Sequence, residues 1–380
     1  MSQSFYQNFK LGVLGGGQLG RMLIQSAIDF NLDVSILDPD QNAPCRSLAN
    51  NFEIGALSDY ETVYQFGKKC DLITIEIENV NTQALKALQN EGKNVYPQPE
   101  VIELIQDKRK QKSFYQKNGI PTAEFVLVES AKELPELESF LPAFQKLGRA
   151  GYDGRGVQRI DNKAGFDQAF DAPSLLEKVV DFEKEISVIA ARNADKEIEV
   201  FPVVELVFHP KHHLVEYLFA PATLEEKQIK QAIGLARQLI EKLDMVGLLA
   251  VEMFVTKEGE VLVNEMAPRT HNSGHQTIEA NTTSQFEQHL RAILNLPLGN
   301  TDAITPSVMI NLLGAPNHTG FACYQGLNQV LNIDGVHLHL YGKRLTKPFR
   351  KMGHVTITGR DIMDLRKKAK FVKQNLKVIS

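Results

Sequence analysis

The sequence predicts an α/β unit built on a parallel, Rossmann-like sheet, followed by an α+β unit and a small β-rich unit at the C-terminal end. Three observations predict it. Short apolar runs alternate with helix-period segments from residue 10 to about 106, and a glycine-rich turn joins the first run to the first helix. Beyond residue 107, β-like runs separated by loops surround one long amphipathic helix.

The first strand spans 11–14 and runs into Gly15-Gly16-Gly17, after which Leu19, Met22, Leu23, Ala27 and Phe30 recur at helical spacing. A strand at 34–38 follows, then helices at 58–68 and 82–91 and strands at 71–77 and 94–96. Pro97 and Pro99 punctuate the chain, a helix is expected at 107–118, and Gly119-Ile120-Pro121 breaks it. Strands are expected at 125–128, 175–180 and 185–191. Residues 224–243 are the clearest helix, with Ile229, Ile233, Ala236, Ile240 and Leu243 on one stripe. Strands at 248–255 and 261–265 flank a tight turn at 257–260, and a basic helix closes the chain. The expected units are 1–106, 107–300 and 301–380.

Composition narrows the class. Of 380 residues, 43% are apolar and 23% charged, which is globular usage. With 42 Lys+Arg against 46 Asp+Glu, no concentrated positive field points to nucleic acid or an anionic membrane. The run from Arg366 to Lys377 reads as a solvated helix face. Three scattered cysteines suggest neither a disulfide framework nor a Cys-rich zinc site, and the start lacks a basic segment followed by an apolar one, so a cytoplasmic protein is expected.

Five constellations could carry chemistry. Gly15-x-Gly17-x-x-Gly20, with Asp38 ending the next strand, has the form of a dinucleotide fingerprint, although other phosphate-bearing ligands use the same turn. Residues 148–156 hold four glycines in nine positions after Lys146, suited to folding N–H groups over a polyphosphate. A turn centred on Glu258-Gly259 sets Glu252 opposite Glu265, with Ala250, Phe254, Val261 and Val263 on the same face. Two facing carboxylates repel unless a cation sits between them, and Mg²⁺ suits such a pair because phosphates and water complete its shell. Asn264 points the other way in an ideal strand. Arg269, His271, Asn272 and Ser273 then form a polar loop, where His271 and His275 are too poorly supported by neighbouring ligands to read as a zinc site; His209, His212 and His213 read as surface histidines. Lys343, Arg350 and Lys351 make a basic patch, of interest if a second phosphate must be held.

Four segments, Gly17-Gln18-Leu19-Gly20-Arg21-Met22, Gly151-Tyr152-Asp153-Gly154-Arg155-Gly156, Asn264-Glu265-Met266-Ala267-Pro268-Arg269 and His271-Asn272-Ser273-Gly274-His275, together resemble the ATP-grasp superfamily. Within it they are most similar to the ribonucleotide synthetases that carboxylate 5-aminoimidazole ribonucleotide (AIR) with ATP and bicarbonate. The resemblance runs from about residue 11 to 353. It implies an ATP-grasp fold with Rossmann-like N-terminal and small β-rich C-terminal domains, Mg²⁺ as cofactor, no biotin, and a homodimer.

Carried over by position, Lys108 and Lys146 hold ATP phosphates under the loop of Tyr152, Asp153, Gly154, Arg155 and Gly156. Glu177, Lys178, Val179 and Val180 form the adenine hinge, Glu185 binds ribose, Asn264 joins the nucleotide site, and Glu252 with Glu265 hold Mg²⁺. Gln18, Leu19, Glu76, Tyr152, Asp153, Arg155 and Asn272 surround AIR, with Lys343, Arg350 and Lys351 at its phosphate. Lys146, Asp153, Arg269 and His271 are the implied catalytic set. Phe208 stands where the family has a histidine. The open alternatives are an NAD-dependent dehydrogenase, a related ligase such as a formate-dependent glycinamide ribonucleotide transformylase, and a nucleotide-binding regulator without turnover.

Overall fold

A computed structural model describes residues 9–149, 156–208 and 215–380. Its first unit is the expected parallel sheet, with strands β1 (Lys10–Leu14), β2 (Asp33–Asp38), β3 (Asn51–Ile54), β4 (Leu72–Ile75) and β5 (Asn94–Val95) in the order β3-β2-β1-β4-β5. Helices α1 (Gln18–Asp29), α2 (Tyr60–Lys68) and α3 (Thr82–Asn90) cover its two faces, so β1 and β2 are apolar almost throughout. Two elements escaped the periodicity reading. β3 is a short edge strand with no fully buried residue, and α4 (Pro99–Ile105) begins on the proline that marked a break, because Pro fits the first turn of a helix. The strand expected at 71–77 stops at Ile75, where the chain turns to present Glu76 and Glu78.

A second lobe begins with α5 (Lys108–Lys117) and an antiparallel sheet of β6 (Phe125–Val128), β7 (Ala143–Leu147), β8 (Val157–Ile160) and β9 (Ser174–Lys178), ordered β6-β9-β7-β8. Next come β10 (Phe182–Arg192), β11 (Ile198–Val200), β12 (Val204–Phe208) and β13 (Val215–Ala220), then α6 (Glu226–Lys242), β14 (Gly247–Thr256) and β15 (Val261–Ala267). Glu225 and Gln228 close a capping box at the start of α6, which lays Ala232, Leu235, Ala236 and Leu239 on the core of β10 and β14. After α7 (Thr277–Ala280) and α8 (Gln285–Ile293), the C-terminal part contributes β16 (Ser307–Leu313), β17 (Gly320–Phe321), β18 (Cys323–Gln325), α9 (Leu327–Leu331), β19 (Val336–Leu340), β20 (Leu345–Thr346), β21 (Lys351–Thr358), α10 (Ile362–Asn375) and β22 (Lys377–Ile379).

One sheet crosses residue 300. Its order is β15-β14-β10-β12-β13-β16-β21-β19, with β11 on β10, so the C-terminal strands extend the sheet that carries the glutamate hairpin. The first unit is joined as tightly. Phe286, Leu290 and Ile293 of α8 lie in one core with Leu19, Leu23 and Ile24 of α1, and the buried Thr74 hydroxyl meets His289 Nε2 at 3.0 Å. Such packing holds the glycine turn and the hairpin at fixed positions relative to each other. No helix among the described residues is long and apolar enough to cross a membrane.

The hairpin does pair Glu252 with Glu265, but through a bulge that sequence spacing does not contain. Gly259 sits at φ +83°, its N–H bonded to Thr256, and Val255, Phe254 and Met253 pair with Val261, Leu262 and Val263. That register alone sets Glu252 against Asn264. An irregularity between Glu252 and Met253 takes up Asn264 as the extra residue and brings Glu265 opposite. The expected apolar surround is therefore corrected: Val261 and Val263 sit on the other face, in the core with Met253 and Val255.

Candidate active site

A cleft lined by lysines is built from four elements. Lys108 is the first residue of α5, fixed there by the Asp107 cap, and its Nζ lies 2.5 Å from Glu265 Oε2. Lys146 on β7 reaches Glu177 Oε1 at 2.5 Å and Asn264 Oδ1 at 3.2 Å. The bulge is what turns Asn264 toward this lysine, supplying the twist an ideal strand lacks. Lys108, Gln111, Lys112, Lys146, Leu175, Asn264 and Glu265 line one narrow cleft.

The two facing carboxylates titrate in opposite directions. The Lys108 ammonium holds Glu265 well below the usual carboxylate range. Burial, with the charges of Glu265 and Glu185 behind it, pushes Glu252 up. Glu185, on β10, is pushed up to about 7 by burial and then by Glu265. Glu177 goes the other way in spite of its burial, because Lys146 and Lys112 both face it.

Beyond β15, Arg269 donates to the Thr270 carbonyl at 3.0 Å and pairs with Glu78 at 2.8 Å, reaching back to the first unit. His271 stands 3.6 Å from Glu252 and 2.9 Å from the Ser273 hydroxyl, its pKa lowered to about 3 by burial and by Arg269 and Lys351, so it is neutral near pH 7. Ser273 N–H donates to His271 Nδ1 at 3.3 Å, which leaves the ring proton on Nε2, facing Glu252. Both polar atoms of the Asn272 amide are buried and lack a hydrogen-bond partner among the described residues. His275 does not join His271. It is 1% exposed and stacks on His354, with centroids 4.7 Å apart, and the described residues contain no group of three or more metal-ligating side chains.

At the glycine turn, Gly15 takes φ +105°, and a Cβ on Gly17 would stand 2.5 Å from Glu76 Oε1. Glu76 accepts the Leu19 N–H at 3.1 Å, and burial raises its pKa to about 7 against the pull of Arg269. Asp38, the acid of the dinucleotide reading, is already engaged: it accepts from Gly16 N at 2.6 Å and Asp40 N at 2.7 Å, holding the turn. Lys343 Nζ donates to Gln18 Oε1 and to the Lys351 carbonyl, each at 2.8 Å, and Arg350 Nη1 to the Leu345 carbonyl at 2.7 Å. Lys343 thus ties this segment to Gln18 at the start of α1.

Tyr152, Asp153, Gly154 and Arg155 lie outside the described residues, as do His209, His212 and His213. Gly156 is described, at φ +71°, its carbonyl accepting from Leu147 N. Sequence reasoning missed Lys112, Thr122 and Glu78. Lys112 had a signal, standing one helical turn after Lys108; Glu78 and Thr122 had none.

A pH effect follows from Glu76. The folded protein keeps this carboxyl protonated up to about pH 7, whereas an unfolded chain releases the proton near 4.5. Its contribution to stability is therefore largest below pH 4.5 and falls as pH rises to 7. Glu76→Gln should match the wild type in thermal melts at about pH 4 and exceed it at pH 8 without ligand. A constant difference would show that Glu76 titrates normally.

The ribonucleotide synthetase preATP-grasp domain matches residues 9–106, the ATP-grasp domain 113–286, and the phosphoribosylaminoimidazole carboxylase C-terminal domain 307–368. The chain is 37% identical over 361 residues to the N5-carboxyaminoimidazole ribonucleotide synthase of Bacillus subtilis, covering 93% of this chain and 92% of that protein. It is 38% identical to the chloroplastic phosphoribosylaminoimidazole carboxylase of Vigna aconitifolia, aligning with 93% of this chain but spanning only 65% of that longer protein. Among solved structures, the N5-carboxyaminoimidazole ribonucleotide synthetase of Thermotoga maritima superposes with a TM-score of 0.91 at 43% identity, covering 98% of this chain and 99% of that one. An Aspergillus clavatus synthase in complex with ADP and 5-aminoimidazole ribonucleotide gives 0.88 at 34% identity, covering 97% and 98%.

Proposed function

The chain belongs to the N5-carboxyaminoimidazole ribonucleotide synthase family of ATP-grasp enzymes, and from that premise we propose that it converts AIR, ATP and bicarbonate to N5-carboxyaminoimidazole ribonucleotide, ADP and phosphate in purine biosynthesis. The observation that carries this to the residues is the position of Arg269. It follows the glutamate hairpin, pairs with Glu78 of the first unit, and acts on both Glu76 and His271. One cation thus joins a nucleotide cleft to a second site at the glycine turn.

In this reading Lys108 and Lys146 hold the ATP phosphates, Asn264 joins the nucleotide site, Glu265 meets the phosphates through a bound cation, and the backbone from Glu177 through Lys178 and Val179 to Val180 takes the adenine. Glu185 takes the ribose, and Tyr152, Asp153, Gly154, Arg155 and Gly156 form the loop over the phosphates. Gln18, Leu19, Glu76, Asn272, Lys343, Arg350 and Lys351 hold AIR. The units are 1–106, 107–300 and 301–380, and a homodimer in the cytoplasm completes the proposal.

Glu252 and Glu265 fit a divalent cation. They are directly paired in register and offer hard oxygen ligands, and burial, followed by the charges of Glu265 and Glu185, raises the Glu252 pKa, a repulsion that a cation between them would relieve. We propose Mg²⁺ there, which when bound neutralises phosphate charge.

Bicarbonate oxygen attacks the γ-phosphorus and the bond to the β,γ-bridging oxygen breaks, giving ADP and carboxyphosphate. Lys146 and Arg269 face the charge that spreads in this step. The AIR amine then attacks the carboxyl carbon, phosphate leaves, and the amine proton departs with it. His271, neutral and with its proton on Nε2, is too weak a base to take that proton. Exclusion of water protects carboxyphosphate between the two steps.

ADP release across paired acids and amines tests the assignment. Release should be greatest with bicarbonate and AIR together; equal turnover with formate and glycinamide ribonucleotide would transfer the chain to the transformylases. Arg350→Ala should raise the KM for AIR about tenfold, the lower end for a charge-assisted hydrogen bond, because one guanidinium N–H is already held by Leu345. A rise in the KM for ATP instead would place the basic patch at the nucleotide.

A further inference from the structure

We infer that Lys112 is a positioning residue for the nucleotide site, acting through Glu177 on Lys146. The inference rests on the nucleotide reading of the cleft above. Glu177 is buried, with 3% of its side chain exposed, and its two oxygens are divided between two lysines: Oε1 lies 2.5 Å from Lys146 Nζ and Oε2 2.5 Å from Lys112 Nζ. Lys112 is equally hidden, at 4%. A buried ion triad of this kind costs desolvation and adds little stability by itself, so its placement asks for another explanation.

The anchoring of Lys112 supplies one. Its Nζ also donates to Thr122 Oγ1 at 2.5 Å, and that hydroxyl donates to the Val263 carbonyl at 2.6 Å. Thr122 and Val263 are bridged along the backbone as well, and Val263 directly precedes the bulge that turns Asn264 toward Lys146. The network closes a ring from α5 through β9 and β7 to β15 and back. Lys108 and Lys112 project from one face of α5, one turn apart, so the helix that places one phosphate-facing ammonium also braces the other.

The electrostatic consequence is specific. Glu177 paired with Lys146 alone would neutralise the charge intended for a phosphate. Sharing the carboxylate with Lys112 leaves Lys146 aimed and still attractive to an anion, with net positive charge on the triad. Glu177 also begins the segment proposed to take adenine, so its backbone and carboxylate tie the two ends of the nucleotide together.

Lys112→Met, which keeps length and apolar stem, should weaken ADP binding by roughly tenfold or more, the scale of a lost charge-assisted interaction. AIR binding should stay within twofold. The loss should vanish in a Glu177→Gln background, where Lys112 has no charge to share, so the double variant should bind ADP as Glu177→Gln does. Calorimetric titration of each variant with ADP and with AIR reads all three results. Equal losses in both backgrounds, or parallel losses for ADP and AIR, would reduce Lys112 to a structural residue and overturn the inference. Should Lys112→Met not fold, Thr122→Val, which only loosens the anchor, must show the same ADP-selective loss in smaller degree, and its absence has the same force. Failure of the wild-type protein to bind ADP would instead sink the nucleotide reading itself.

Discussion

Glu265→Ala should lose about two to three orders of magnitude in turnover while melting within a few degrees of the wild type, the scale on which one preorganised electrostatic element acts. Glu265 holds Lys108 at 2.5 Å and faces Glu252 across the hairpin, so its removal takes away a carboxylate of the proposed cation site and frees the lysine proposed to face the phosphates. Stability should be spared because the change also removes a like charge that pushes Glu252 up. Glu265→Gln separates the two effects, keeping a hydrogen-bond acceptor for Lys108 but not the charge. Turnover at saturating Mg²⁺ equal to that of the wild type would refute the facing-pair assignment.

Lys146→Met should lower kcat/KM for ATP by roughly 10²–10³, or about 2.7–4 kcal/mol, on the same scale. Lys146 is the cation of β7 that meets both Glu177 and the bulge residue Asn264. Glu177 keeps Lys112 as a partner, so the variant avoids leaving a buried carboxylate unpaired. Affinity for AIR should be unchanged. Full ADP affinity in a folded Lys146→Met protein would remove Lys146 from the phosphates.

The helices and strands of the first unit were legible because their periods are local: Leu19, Met22, Leu23 and Ala27 report the buried face of α1 whatever it packs against. The exposed edge strand β3 carried no such signal. The glutamate pairing was read correctly for an incomplete reason, since the bulge at Asn264 responds to how β15 meets β14, and no spacing rule contains it. Asp38 matched a ligand-binding pattern, yet its two oxygens hold the glycine turn, because a carboxylate beside free N–H groups is satisfied by them first.

Sequence by itself determined the residue chemistry of this protein: two lysines, a facing acid pair, a glycine-rich turn between the first strand and helix, and the order in which they appear. Tertiary structure alone decided which charges meet. Lys112, Thr122, Glu177 and Val263 lie on four segments whose contacts arise only when α5, β9 and β15 dock, and the burial that docking produces holds His271 neutral and Glu76 protonated. Side-chain periodicity reports a residue's relation to its own helix or strand. Desolvation and ion pairing depend on what other elements bring within a few ångströms, which is set by packing across the whole chain.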